Sequence, residues 1–181
     1  MLIQIVSFLL DVVAGLLAGA CLLRLYMQHQ RMPFGNPVGR FVFALSDWIV
    51  LPLRKVLPKT RKVDLSSLLA AYLIELAQFG ILWLIAGRGS AVMVFGLALF
   101  GLVRLVISGM IGLVIVYAIL SWVRADSPIT DVIDRLCAPL LRPFRRMIPL
   151  VGGFDLSPLA LLVVLQVAAI VVANVQDAVL R

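Results

Sequence analysis

The chain has 181 residues, of which 63% are hydrophobic and 14% are charged, whereas about a quarter of an ordinary soluble domain is charged. This composition excludes a typical soluble protein and predicts a protein that lies in a bilayer. The net charge of +7 comes from cations that cluster beside apolar segments. Such clustering predicts contact with anionic lipid headgroups and argues against direct binding of nucleic acid. Two cysteines without ligand spacing and a single histidine predict no metal site, no disulfide and no cofactor.

Four apolar segments are long enough to cross a bilayer, which takes about 20 residues of helix. In chain order they cover residues 2–27, 68–86, 91–123 and 159–173. The third segment exceeds one bilayer thickness, so it is either a tilted helix or a span with an interfacial lead-in. Residues 174–181 are expected to form a short tail after the fourth span. The fold class predicted from this pattern is an all-α membrane protein with four transmembrane helices.

A shorter helix is predicted in each long loop between spans. Asn36 before Pro37, and Ser127 before Pro128, place an N-cap residue ahead of a proline at the first helical position. Apolar residues then recur at helical spacing: Val38, Phe41, Val42, Leu45 and Ile49 in the first helix, and Ile129, Val132, Ile133, Leu136 and Leu140 in the second. One apolar stripe on a helix too short to span is typical of an interfacial amphipathic helix. The alternative is that this stripe packs on the spans.

The most unusual residues of the chain recur 91 positions apart, in the loop segments that follow these short helices. Such a fixed period indicates two copies of one structural unit, here residues 1–90 and 91–181. A proline is expected to end each short helix, because its ring removes a donor and clashes with the preceding turn. A basic pair follows, and an Asp-Leu-Ser triplet then offers N-caps for the next span. The candidate residues for binding a partner or lipid are Pro52, Arg54, Lys55, Pro58, Asp64 and Ser66 in the first copy, and Pro143, Arg145, Arg146, Pro149, Gly152, Gly153, Asp155, Ser157 and Pro158 in the second.

The distribution of Lys and Arg predicts the topology. Residues 28–63 carry seven of these cations and residues 124–146 carry five, whereas the opposite side has only Arg88 and Arg181. Loops rich in Lys and Arg stay in the cytoplasm, so both basic loops should be cytoplasmic and both termini should lie outside. Two spans in each copy also give the copies one orientation, which makes them parallel repeats.

Four polar residues lie inside the apolar segments: Asp11, Glu75, Gln78 and Arg104. Intramembrane charges are costly, and they mark either a solute pathway or polar contacts between helices. Asp11 and Arg104 are predicted to lie at one depth, so Arg104 should face the bundle and contact Asp11 or Glu75. Arg24, at the end of the first span, is expected to reach the interface, and the small residues from Gly15 to Gly19 should allow close helix contact.

No catalytic constellation is present in the sequence, since it contains no phosphate loop, no His-Glu-x-x-His and no Ser-His-Asp set. The chain is therefore not expected to be an enzyme. The second copy resembles the YggT family of small bacterial and plastid membrane proteins at Ser121-Trp122, Ser127-Pro128, Pro139, Pro143, Arg145-Arg146, Pro149, Gly152-Gly153 and Asp155-Leu-Ser-Pro158. The first copy departs from this pattern, with Arg61-Lys62 at the Gly-Gly positions and Ser67 in place of the last proline.

The resemblance implies a multi-pass protein of the bacterial inner membrane, in a family associated with osmotic-stress tolerance, cell division and cytochrome assembly. It implies no reaction and no ligand residue. Two functions remain open at this point. The first is an adaptor whose twin loops bind anionic headgroups or an unidentified membrane or cytoplasmic protein. The alternative is a small transport or permeation unit for an ion or osmolyte, which would form a homo-oligomer because four spans leave little room for a pathway.

Overall fold

The computed structural model describes residues 1–57, 64–87, 90–123, 127–148 and 155–179. In these ranges the chain forms six α-helices and no strand: α1 (Leu2–His29), α2 (Pro37–Val56), α3 (Leu65–Ala86), α4 (Ala91–Val123), α5 (Pro128–Met147) and α6 (Ser157–Val179). Four of them, α1, α3, α4 and α6, are long and apolar enough to cross a membrane. The predicted all-α membrane fold with four spans is therefore confirmed.

The third span has the predicted bounds, and the fourth is longer than predicted. α4 is one continuous helix of 33 residues over 91–123. At about 1.5 Å per residue it is roughly 50 Å long, well beyond the roughly 30 Å of a hydrocarbon core. α6 continues to Val179, so residues 174–179 belong to the helix and the expected tail is wrong. The apolar residues of this last stretch continue the helical pattern, and no proline or glycine interrupts it.

The short helices begin as predicted. The Asn36 side-chain oxygen accepts a hydrogen bond from the backbone N–H of Gly39 at 2.8 Å, and the Ser127 hydroxyl accepts one from that of Thr130 at 3.2 Å. Each bond satisfies one of the donors left free at a helix N-terminus. The N-cap assignments of α2 and α5 are therefore confirmed.

The prolines do not end these helices. α2 continues through Pro52 to Val56, and α5 continues through Pro143 to Met147, so the predicted ends are wrong. A proline inside a helix removes one backbone hydrogen bond, but contacts outside the helix can offset that loss. Here Leu53 and Phe144 pack against the cores of their own halves of the chain. Ion pairs, described below, hold the same two helical turns.

The buried stripe of each short helix packs on the spans. α2 buries Val42, Ser46 and Val50, and α5 buries Val132, Leu136 and Cys137, among others. The structure therefore agrees with the alternative interpretation, in which the apolar stripe of each short helix packs on the spans. The outward faces differ: α2 exposes the apolar side chains of Phe41, Trp48 and Leu51, whereas α5 exposes Asp131, Asp134, Arg135 and Arg142.

The six helices form two similar groups. In the first, α1 and α3 pack together with α2 against them, and in the second α4 and α6 pack together with α5. The groups meet mainly where α3 packs on α4, with further contacts between α2 and α5 and between α1 and α4. A third cluster, which contains Met27, Val42 and Leu136, joins the groups beside the short helices. The Tyr26 hydroxyl adds a hydrogen bond to the backbone oxygen of Leu136 at 2.8 Å.

Candidate functional site

In the first basic loop, Arg54 turns back onto the start of the next span. Its guanidinium forms an ion pair with Asp64 and donates to the Gln28 side-chain oxygen at 3.2 Å. Asp64 is the N-cap of α3, and its carboxylate also accepts from the Ser67 hydroxyl at 2.7 Å. Burial acts to raise the pKa of Asp64, but the hydrogen bonds from Arg54 and Ser67 outweigh it, so the pKa lies below its ordinary value. The carboxylate thus ties the end of α2 to the start of α3.

The second basic loop repeats this arrangement. Arg145 Nε lies 2.9 Å from Asp155 Oδ2, and the same guanidinium donates to the Tyr117 hydroxyl. Asp155 also accepts from the backbone N–H of Ser157 at 2.9 Å. Burial acts to raise the pKa of Asp155, yet the hydrogen bonds from Ser157 and Arg145 lower it below its ordinary value. The interpretation of the aspartates as helix caps is confirmed for Asp64, whereas Asp155 bonds the first backbone N–H of α6 from two residues before it.

These contacts divide each basic pair. The first cation, Arg54 or Arg145, is held in an ion pair that joins positions ten residues apart in the chain. The second cation, Lys55 or Arg146, is exposed and has no ion pair with any residue in the described ranges. The arrangement therefore fixes one cation and presents the other to the surroundings.

The remaining candidate residues of the loops take three kinds of position. Pro52 and Pro143 are exposed on their helices. Ser66, Ser157 and Pro158 are buried at the starts of α3 and α6, and the Ser157 hydroxyl has no hydrogen-bond partner among the residues that the structure describes. The others, Pro58, Pro149, Gly152 and Gly153, lie outside the described residues.

Arg24 of α1 forms an ion pair with Asp47 of α2 that the sequence did not predict. Its side chain is only 3% exposed, and Nη1 lies 2.7 Å from Asp47 Oδ1 and 2.8 Å from the Ser46 hydroxyl. The guanidinium also lies over the Phe43 ring, 4.6 Å from its centroid. Arg24 is therefore buried against α2, and its predicted position at the level of the membrane interface stays a prediction. No repeat signal could reveal this pair, since the corresponding positions of the second copy carry Ile115 and Ala138.

The structure brings the four intramembrane polar residues together on three packed helices. The Gln78 amide of α3 donates to the Asp11 carboxylate of α1. Glu75 is buried on α3, within electrostatic range of both Asp11 and Arg104. Its carboxylate lies against Gly101 of α4, where the Cβ of any larger residue would clash with it. Among the described residues Arg104 has no ion pair and is exposed, so its predicted direct contact and inward orientation are wrong.

An apolar cavity of about 660 Å³ lies between α1 and α4, with Phe41 and Ile133 of the short helices at one end. Gly15 and Gly19 line it, and a side chain added at Gly19 would meet no atom within 4 Å. A Cβ at Gly15 would lie 4.0 Å from Leu105 of α4, so the expected helix contact is absent at Gly19 and involves only a side chain at Gly15. None of the four intramembrane polar residues lines this cavity.

The fold and its two loop contacts define a membrane protein built from two tandem units, each a span, a short capped helix and a second span. The family model described as CCB3/YggT matches residues 3–85 and 96–176, which fits this two-repeat layout. The chain belongs to the CCB3/YggT family, so the resemblance seen in the sequence is confirmed.

Relatives from several bacteria cover nearly the whole chain. It is 37% identical over 178 residues to "Uncharacterized protein YggT" of Escherichia coli strain K12, which covers 95% of this chain and 91% of that protein. It is 34% identical over 173 residues to "Uncharacterized protein in proC 3'region" of Vibrio alginolyticus, covering 93% and 94% respectively. No solved structure matches the chain.

Proposed function

We propose that this protein is a non-enzymatic adaptor of the bacterial inner membrane. Its two basic loops bind anionic lipid headgroups or an acidic protein surface, and its spans hold those loops at the membrane. The observation that carries the proposal is the division of each basic pair. Lys55 and Arg146 are exposed at equivalent positions, and the neighbouring ion pairs to Asp64 and Asp155 fix the helical turns that present them. Two fixed cationic sites on one side of a membrane suit a docking role.

The proposed cytoplasmic position of the loops is supported by charge and by the outward face of α2. Because cytoplasmic loops are enriched in Lys and Arg, both loops face the cytoplasm and both termini face out. Trp48 is 60% exposed on α2, next to the exposed Leu51. Tryptophan is enriched at membrane–water interfaces, so α2 lies against the lipid surface. The outward face of α5 is charged and is directed to the cytoplasm, which makes the second loop the better site for a protein partner.

The test is charge reversal at the two exposed cations. Each cation near an anionic surface contributes about 1 kcal/mol, so Lys55→Glu with Arg146→Glu should weaken retention of anionic lipid by roughly twentyfold or more. Native mass spectrometry of the full chain in lipid discs measures that retention, and crosslinking in intact membranes measures protein contacts. Ser90→Glu, at the opposite end of the spans, is the control and should change neither. Unchanged lipid retention together with unchanged crosslinks would contradict the proposal.

A second candidate is a permeation unit for an ion or osmolyte. It is favoured by the grouping of Asp11, Glu75, Gln78 and Arg104 on three helices. Flux of a solute through proteoliposomes that is removed by Glu75→Gln and retained by Lys55→Glu would favour this candidate over the adaptor.

A further inference from the structure

The contact between the two halves of the chain uses one face of α3. The Tyr72 hydroxyl donates to the backbone oxygen of Phe95 at 3.3 Å. One turn further on, the Glu75 carboxylate lies against Gly101, and a Cβ at Gly101 would lie 2.8 Å from the Phe79 ring. Tyr72, Glu75 and Phe79 therefore form the face of α3 that packs on α4.

The corresponding face of α6 is uncovered. The 91-residue period places Val163, Gln166 and Ile170 at the positions of Tyr72, Glu75 and Phe79, and all three are exposed. Within the described part of the chain, the Gln166 amide has no hydrogen-bond partner. An amide that faces hydrocarbon without a partner is costly, and glutamines in spans commonly bond across helices. This face of α6 therefore lacks the neighbour that its counterpart on α3 has.

The counterpart of α4 is α1, and α1 carries a polar row on the matching face. Gln4, Ser7 and Asp11 are spaced by three and four residues, so they lie along one side of the helix. The same period relates them to Phe95, Ala98 and Leu102 of α4. In this structure Gln4 and Asp11 are exposed and Ser7 is half-buried. Polar residues in a span almost always face protein or a water-filled space.

We propose that the face of α6 formed by Val163, Gln166 and Ile170 binds α1 of a second copy, as α3 binds α4 within one chain. Gly101 corresponds to Leu10, so Gln166 of one copy lies beside Leu10 and Asp11 of the next. A carboxylate has about four acceptor positions, so Asp11 can accept from Gln166 as well as from Gln78. The occupant is a second copy because the contact continues an interface that already exists inside the chain.

The geometry of this contact determines the kind of assembly. The two surfaces are different, so the contact is head-to-tail, and a pair of copies keeps one free α1 face on one copy and one free α6 face on the other. Repetition gives a ring where the rotation closes and a row where it does not. This inference does not depend on the adaptor function. An assembly would also present several copies of the two basic loops on one surface, which raises avidity for an extended partner.

Directed disulfide formation between two distinguishable copies tests the contact. In a background with Cys21→Ala and Cys137→Ala, one tagged copy carries Leu10→Cys and the other carries Gln166→Cys. Oxidation in native membranes should link the two tags, and neither variant expressed alone should form a linked dimer. Val164→Cys in place of Gln166→Cys is the control, since Val164 is also exposed but lies on the other side of α6 and should not link.

A second measurement uses proteins without added cysteines. Gln166→Leu should weaken self-association in liposomes, measured by energy transfer between labelled copies, by roughly threefold to tenfold, because one interhelical hydrogen bond is lost. Val164→Leu should leave it unchanged. The proposal is overturned if the mixed copies do not link, if Gln166→Cys alone forms a dimer, or if Gln166→Leu leaves self-association unchanged.

Discussion

Replacing Asp64 by alanine is expected to lower the free energy of unfolding by about 3 kcal/mol, because it removes an ion pair and a helix cap at once. The Asp64 side chain is only 5% exposed, so its loss leaves the buried Ser67 hydroxyl and backbone N–H without their partner, whereas the Arg54 side chain is 38% exposed and stays partly hydrated. Chemical unfolding of the full chain in lipid discs or detergent micelles measures the change.

The second copy supplies a matched control. The Asp155 side chain is 29% exposed and that of Arg145 is 45% exposed, so solvent screens their interaction. Asp155→Ala should therefore cost only about 1 kcal/mol. Equal losses of unfolding free energy in Asp64→Ala and Asp155→Ala would show that burial does not determine the strength of the two ion pairs. No loss for Asp64→Ala would contradict the role given to this carboxylate.

The Asp64 carboxylate should also make the free energy of unfolding depend on pH. Because the pKa of Asp64 is lower in the folded protein, its stabilisation is fully present above the ordinary aspartate pKa of about 3.9. It is lost as the pH falls from there through the lowered pKa. In that acidic window the free energy of unfolding should fall more steeply in the unmodified protein than in Asp64→Ala.

Replacing Asp47 by alanine is expected to cost about 3 kcal/mol, since it leaves the buried Arg24 without its counter-ion. The Asp47 side chain is itself 42% exposed, so the cost arises on the Arg24 side of the pair. The double variant Arg24→Met with Asp47→Ala should recover most of the loss, because an apolar side chain can replace a buried cation. Unfolding of the two variants under the same conditions measures this. A double variant no more stable than Asp47→Ala would contradict the account.

The spans and helix starts could be predicted because their causes are local. Hydropathy over about 20 residues identifies a span, and Asn36, Ser127 and Asp64 each bond a backbone N–H three residues ahead. The 91-residue repeat also places Arg54 and Asp64 at the positions of Arg145 and Asp155, and an ion pair forms at these positions in each copy.

The wrong predicted end of α2 and the unpredicted contacts of Arg24 and Asp11 have a different origin, because they depend on packing between helices. Pro52 should end α2 by local rules, but the packing of Leu53 and the ion pair of Arg54 hold the last turn. Arg24 is buried because α2 places Asp47 beside it, and neither residue signals the other along the chain. The hydrogen bond from Gln78 likewise gives Asp11 a partner other than the predicted Arg104.

In the proposed topology the two copies share one orientation and present both basic loops to the cytoplasm. Cysteine labelling in intact cells tests it most directly, with Lys55→Cys, Arg146→Cys and Ser90→Cys each introduced after Cys21→Ala and Cys137→Ala. Lys55 and Arg146 are exposed in the last turns of α2 and α5, and Ser90 is exposed at the opposite end of the spans. We expect a membrane-impermeant maleimide to label Ser90→Cys alone and a permeant maleimide to label all three variants. Labelling of Lys55→Cys or Arg146→Cys from outside would contradict the proposed topology.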